Sequence, residues 1–200
     1  MNILVQREDL LAEMGYKQPP QPKLLKMVDE VLGLLGDLLE PNLAFGEILD
    51  ENSLPPFLLG AALKYVGAAT LGPKLETKVK ELFDERKPAE SYILDTAGSI
   101  AITRAGDLLW RRIRQDAASK GFKKGLRRTP GCAGIEIETQ HWILEKLADA
   151  EPGIALTEAW MMVPRKSLSF LARFGGKLKG TFSCEGCPQY AECTLRSEKE

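Results

Sequence analysis

The segment "PAESYILDTAGSIAITRAGDLLWRRIRQDAASKG", residues 88–121, is the longest periodic stretch of the chain and carries no proline after its first position. Ile93, Ala97, Ala101, Ala105, Leu108 and Ile113 recur at helical spacing on one face, and Gly121 stands where such a helix would end. Ala97, Gly98, Ala101, Ala105 and Gly106 are small enough to admit a second backbone, or a ligand, at close range. Core packing is the simpler use of that stripe.

Other segments fit around this helix. Pro22 and Pro41 bracket "KLLKMVDEVLGLLGDLLE", whose Leu24, Val28, Val31, Leu35 and Leu38 predict a second helix with a broad apolar face, and hence a well-buried one. Residues 42–56 read as loop with a short strand near Leu43 to Ile48. "LKYVGAATLG" predicts a buried strand and "KLETKVKELFDERK" an exposed amphipathic helix. "FKKGLRRT" predicts a strand feeding a Pro-Gly turn, and "ETQHWILEKLAD" a helix stopped by Pro152-Gly153. "IALTEAWMMV" and "SLSFLARF" read as an antiparallel pair joined around "PRKS". Helices and strands mix without a βαβα rhythm, so the expected class is α+β. The domain is expected over 1–176, with a polar, cysteine-bearing tail over 177–200.

A chain of 200 residues buries roughly 70% of its unfolded surface and needs no disulfide to hold a core. Its net charge of −1 gives no global field for nucleic acid or anionic membrane. The charge is uneven, however: Arg111, Arg112, Arg114, Lys120, Lys123, Lys124, Arg127 and Arg128 lie close in sequence against Asp116 alone. Such a stretch suits a docking surface, an anion site or a solvated helix end. The N-terminus shows no signal-peptide pattern, and no run approaches the roughly 18 apolar residues of a membrane span. A cytoplasmic location is expected, where cysteines serve metals, clusters or redox chemistry more than disulfides.

Three local patterns carry chemistry. "CEGCPQYAEC" spaces Cys184, Cys187 and Cys193 so that two thiolates can turn onto one soft metal with a third nearby. Zinc and most iron–sulfur clusters take four protein ligands, and Cys132 is the one remaining cysteine. Four thiolates meeting, an open three-cysteine cluster and free thiols all stay open. "GLRRTPGCAG" offers the planar fork of Arg127 to a carboxylate or phosphate, with Thr129, Pro130 and Gly131 in a tight turn behind it. That turn suits the carboxylate end of an amino-acid-like ligand, or an ordinary surface connection. "MMVPRKS" sets Arg165, Lys166 and Ser167 at a cationic corner, or at a charged hairpin tip. The single histidine, His141, reads as a surface group, and no GxSxG, HExxH or P-loop pattern occurs.

The order "SYILDTAGSIA", "GLRRTPGCAG", "LTEAWMMVPRKSLS" resembles the S-adenosylmethionine-binding activation domain of cobalamin-dependent methionine synthase, and most closely its shorter stand-alone versions. The likeness runs from about Leu63 to Phe174, and more weakly into "REDLLAEMGYK" and the cysteine-bearing tail. It implies a twisted antiparallel sheet with packed helices. It implies that S-adenosylmethionine binds, and that the domain docks on a corrinoid-binding protein or methionine synthase. In the family, one electron and the methyl of S-adenosylmethionine return an accidentally oxidised cobalamin to its methylated form. The electron comes from a flavodoxin- or ferredoxin-like donor. Arg127 matches the arginine of the family's "RPAPGY" loop, and Thr129, Pro130 and Gly131 the positions behind it. Thr157, Glu158 and the "PRKS" corner fall where the family completes its fold and corrinoid-facing surface. Departures are Cys132 for the loop tyrosine, Thr103 for a pocket glutamate, Gly134 for an acid and Tyr65 for a histidine. The alternative expectation is an iron–sulfur or zinc-binding accessory protein for a corrinoid enzyme, without methyl chemistry of its own.

Overall fold

The computed structural model describes residues 3–18, 20–132 and 134–175. Its centre is a four-stranded antiparallel sheet in the order β1 (Asn42–Glu47), β2 (Leu63–Thr70), β6 (Ser167–Phe174), β3 (Gly125–Arg128). Strands β2 and β6 pair along their full length, from Leu63 opposite Phe174 to Thr70 opposite Ser167. All eight residues of β2 are buried, as suits a central strand of mostly apolar and small residues, and the buried Lys64 is paired with Glu51. The fold is α+β, as the mixture of periodicities predicts.

The long segment forms one helix, α4 (Pro88–Ser119), laid across one face of the sheet. Pro88 suits the first helical turn, where its missing N–H costs nothing. Under α4 lie Tyr65 and Ala69 of β2 with Phe170, Ala172 and Phe174 of β6. The small residues serve this packing. A Cβ on Gly106 would stand 2.6 Å from Leu168 Cδ2, and one on Gly98 2.9 Å from Leu75 Cδ2 of α3 (Lys74–Asp84). The stripe holds neighbouring elements close, and at these positions no room is left for a ligand.

The alternating residues of the sheet face a second core. There Val66, Ala68 and Leu171 meet Phe57, Leu58, Ile135, and Ile143 and Leu147 at α5 (Thr139–Lys146). Each fully buried Leu or Ile contributes about 1.5–3 kcal/mol in such a place. Helix α2 (Pro22–Leu38) and the short α1 (Arg7–Glu13) complete the α4 side.

Four expectations are corrected. Leu109, not its neighbour Leu108, is the fully buried residue at this turn of α4, because the face follows 105, 109, 113 at the helical repeat. Helix α2 buries only Val28, Val31 and Leu35 completely and leaves Leu34 44% exposed, so its breadth of apolar sequence exceeds the surface it covers. "IALTEAWMMV" does not pair along "SLSFLARF": it folds on itself as β4 (Ala155–Leu156) and β5 (Met162–Val163). Both long edges of β6 are claimed by β2 and β3 instead. Thr157 and Glu158 therefore lie in the turn of that small hairpin rather than in a strand, with the Thr157 N–H donating to the Met161 carbonyl at 2.9 Å. Among the described residues no helix is long and apolar enough to cross a membrane.

Candidate functional site

Strand β3 aims successive side chains at opposite faces of the sheet, and Arg127, opposite Ala172, points toward α4. Its guanidinium donates from Nη2 to Asp107 Oδ1 at 2.6 Å and from Nη1 to the Gly106 carbonyl at 3.1 Å. The same group lies 5.9 Å from the Trp110 ring centre and 5.7 Å from that of Phe170. Two aromatic faces and a carboxylate fix its plane, while about a third of the side chain stays in contact with water.

Asp107 also lines a polar cleft of about 340 Å³, together with Leu4, Gln6, Arg104 and Arg111. One wall is the chain before α1, and α1 itself is held to α4 by the Arg104–Asp9 ion pair at 2.7 Å. The Arg104 hydrogen bond, helped by the Gln6 N–H, holds the Asp9 carboxyl below its ordinary value of 3.8. Cations and one carboxylate thus surround the cleft, an arrangement that can hold a ligand bearing both signs of charge.

The loop behind Arg127 is closed on itself. The Gly131 N–H donates to the Ile135 carbonyl at 2.8 Å, that of Ile135 to Cys132 at 3.1 Å, and that of Cys132 to Thr129 at 3.2 Å. Gly131 and Gly134 have φ of 81° and 79°, in the left-handed region where a side chain is strained. Thr129, Gly131 and Cys132 are exposed and Pro130 is half-buried. None of these residues lines the 340 Å³ cleft. Of the sequence-predicted loop site, then, Arg127 alone reaches that cleft's wall, through Asp107.

The departing positions also have definite places. Thr103 is exposed and returns its hydroxyl to the Ser99 carbonyl at 3.0 Å; the acid meeting Arg127 stands one turn later, at 107. Tyr65 is buried, its hydroxyl donating to Asp116 and accepting from Lys120 Nζ at 3.1 Å, and burial first, then Asp116, pushes its phenol up to about 12. Lys120 also pairs with Glu47, so this cation of the basic stretch is spent internally. Arg111, Arg114, Lys123 and Lys124 remain exposed.

His141 is exposed, with its ring 6.1 Å from that of Trp160. At the "PRKS" corner, Lys166 Nζ pairs with Asp95 at 2.9 Å and Ser167 donates to the Pro164 carbonyl. Cys132 is an exposed free thiol. Cys184, Cys187 and Cys193 lie outside the described residues, and among the described residues no group of three or more His, Cys, Asp or Glu side chains could hold a metal ion. Sequence reasoning missed Gln6, Arg104 and Asp107, because the partners of Arg104 and Asp107, Asp9 and Arg127, lie far from them in sequence.

No family model matches the chain, and no curated protein matches it in sequence. A solved structure, that of the MetH reactivation domain bound to AdoHcy, is similar to it with a TM-score of 0.61 at 14% identity, over 88% of this chain and 69% of that one. At such identity the likeness is one of architecture: the chain has an activation-domain-like fold.

Proposed function

We propose that the protein supports S-adenosylmethionine-dependent reductive reactivation of a corrinoid methyltransferase such as methionine synthase. One observation carries the reading: in a fold similar to a domain whose solved form holds AdoHcy, Arg127 is fixed against Asp107 at the wall of a cleft with both signs of charge. Arg104 and Arg111 suit a ligand carboxylate, and the Asp107 carboxylate suits an ammonium or sulfonium. Arg127 then acts as a positioning residue that sets the direction of Asp107, while Thr129, Pro130 and Gly131, which the family resemblance assigns to the ligand, lie outside the cleft lining. When bound, the ligand supplies a methyl group on a sulfonium, and the cobalt chemistry belongs to cobalamin on the partner.

The exposed Arg114, Lys123 and Lys124 suit an acidic partner surface, on the corrinoid protein or on a flavodoxin- or ferredoxin-like electron donor. Calorimetry with S-adenosylmethionine is the test. Wild type should release heat, and Arg127→Ala and Asp107→Ala should bind at least about tenfold more weakly, a loss of one charge-assisted contact. Absence of heat in wild type at about 1 mM protein would remove the ligand from the reading.

The sequence motif Cys184-x2-Cys187-x5-Cys193, with Cys132 exposed as a free thiol, supports a second reading: an accessory protein holding an iron–sulfur cluster or zinc. Anaerobic purification should then give protein-bound iron or zinc that is lost in Cys187→Ala. Protein free of both metals would sink this version.

A further inference from the structure

A larger cleft, of about 530 Å³, opens near the N-terminal end of α4. One face of α3 supplies Glu76, Thr77, Val79, Lys80 and Phe83, α4 supplies Ser91 and Asp95, and the chain after Pro164 supplies Arg165 and Lys166. Much of this polar lining is already committed. Lys166 Nζ donates to Asp95 Oδ1 and to Ser99 Oγ, each at 2.9 Å, with only 13% of the lysine side chain exposed. Lys80 pairs with Asp84 at 2.7 Å, and Ser91 Oγ donates to the Val79 carbonyl at 2.8 Å.

Two charges remain for something else. Arg165 is exposed and forms no ion pair among the described residues. Glu76 forms none either, but its Oε1 accepts the Lys166 backbone N–H at 2.7 Å, which anchors the carboxylate at the cleft. Beside them Val79 and the 65%-exposed ring of Phe83 give an apolar wall. A lone anion would meet Glu76 and Asp95, and a lone cation would meet Arg165. The lining favours a molecule that carries both charges and an apolar part.

We propose that this cleft binds a free α-amino acid with an apolar side chain. Arg165 takes the carboxylate through its planar fork, Glu76 takes the ammonium, and Val79 and Phe83 cover the side chain. The volume falls within the range of about 300–1,000 Å³ usual for small-molecule sites. Arg127 and Asp107 take no part, so this site stands or falls apart from the S-adenosylmethionine reading.

The test is a titration of the isotope-labelled protein, followed by amide chemical shifts, with L-leucine and L-phenylalanine up to about 20 mM, above the millimolar affinity of a small polar ligand. Saturable shifts are expected along 76–83 and 165–167. N-acetyl-L-leucine and L-leucinamide, each lacking one charge, should bind at least about tenfold more weakly than L-leucine, as should Arg165→Ala and Glu76→Gln tested with L-leucine. Glu76→Gln keeps an acceptor for the Lys166 N–H, so the fold of the corner is preserved. Arg127→Ala should bind L-leucine like wild type. Three results would each overturn the proposal: no saturable shift with either amino acid, derivatives that bind as well as L-leucine, or unchanged binding in both cleft variants.

Discussion

Arg127 and Arg165 are both arginines of short cationic sequences, and the fold uses them in opposite ways. Arg127 is locked: a carboxylate, a helix carbonyl and two aromatic rings hold its guanidinium. Arg165 stands exposed beside a lysine whose own charge is satisfied by Asp95. The first lies against the middle of α4, where it steers the acid facing a cleft; the second offers its charge directly to another cleft. Identical side-chain chemistry becomes scaffold in one place and ligand-facing surface in the other, and the difference is made by what the neighbouring helix presents.

The sharpest way to break this comparison is Gly125→Ala. The added methyl would stand 2.3 Å from Phe174 Cε1, on a buried ring with no room to retreat. Overpacking of this kind costs about 3 kcal/mol, seen as a shift in the denaturation midpoint. Strand β3 should move off, taking Arg127 from Asp107, while the Arg165 cleft keeps its amide shifts. Asp95→Ala should rank next, at about 2 kcal/mol, because it strips a mostly buried lysine of its carboxylate. Asp107→Ala should cost less, about 1 kcal/mol or below, since both members of its pair are partly in water. A reversed order of these two would mean that Arg127 is the more deeply committed residue.

Two pH effects are smaller. The Tyr65 phenol, ordinarily at 10.0, is raised to about 12 by burial and by Asp116. The folded state holds that proton more tightly, so its stabilising contribution is complete below pH 10 and lost as pH rises toward about 12. Phenolate absorbance should show a step near the upper value that vanishes in Tyr65→Phe. The Asp9 carboxyl is depressed, so its hold on Arg104 is complete above pH 3.8 and fades as pH falls through its lower folded value. Hydrogen exchange should then quicken in α1 before it does in α4, and Asp9→Asn should show the same loosening at neutral pH.

The parts of the fold most legible in sequence were those with one strong local signal and no competitor. Helix α4 follows from its spacing, the buried strand β2 from its mostly apolar run and the short β3 from the Pro-Gly turn behind it. Pairing was harder, because β6 and the β4–β5 hairpin are adjacent in sequence while β6 finds its partners at Leu63–Thr70 and Gly125–Arg128. Of the site, Arg127 could be picked out as a chemical group, but its partner could not. Asp107 looks like any exposed helix acid until the sheet brings β3 beneath it. Gln6 and Arg104 are cleft residues only because α1 docks on α4, and α1 is too short to announce itself by periodicity.

The close seating of α4 on its neighbours has one more consequence. Asp95 and Asp107 are twelve residues apart on a single continuous helix, which sets them about 18 Å apart along the axis and turns them about 120° from each other. With leucines pressed against Gly98 and Gly106, the rod between them has no slack to shorten or twist. A small molecule lodged at one aspartate therefore cannot touch the other, and only an elongated, bent compound could occupy both clefts at once.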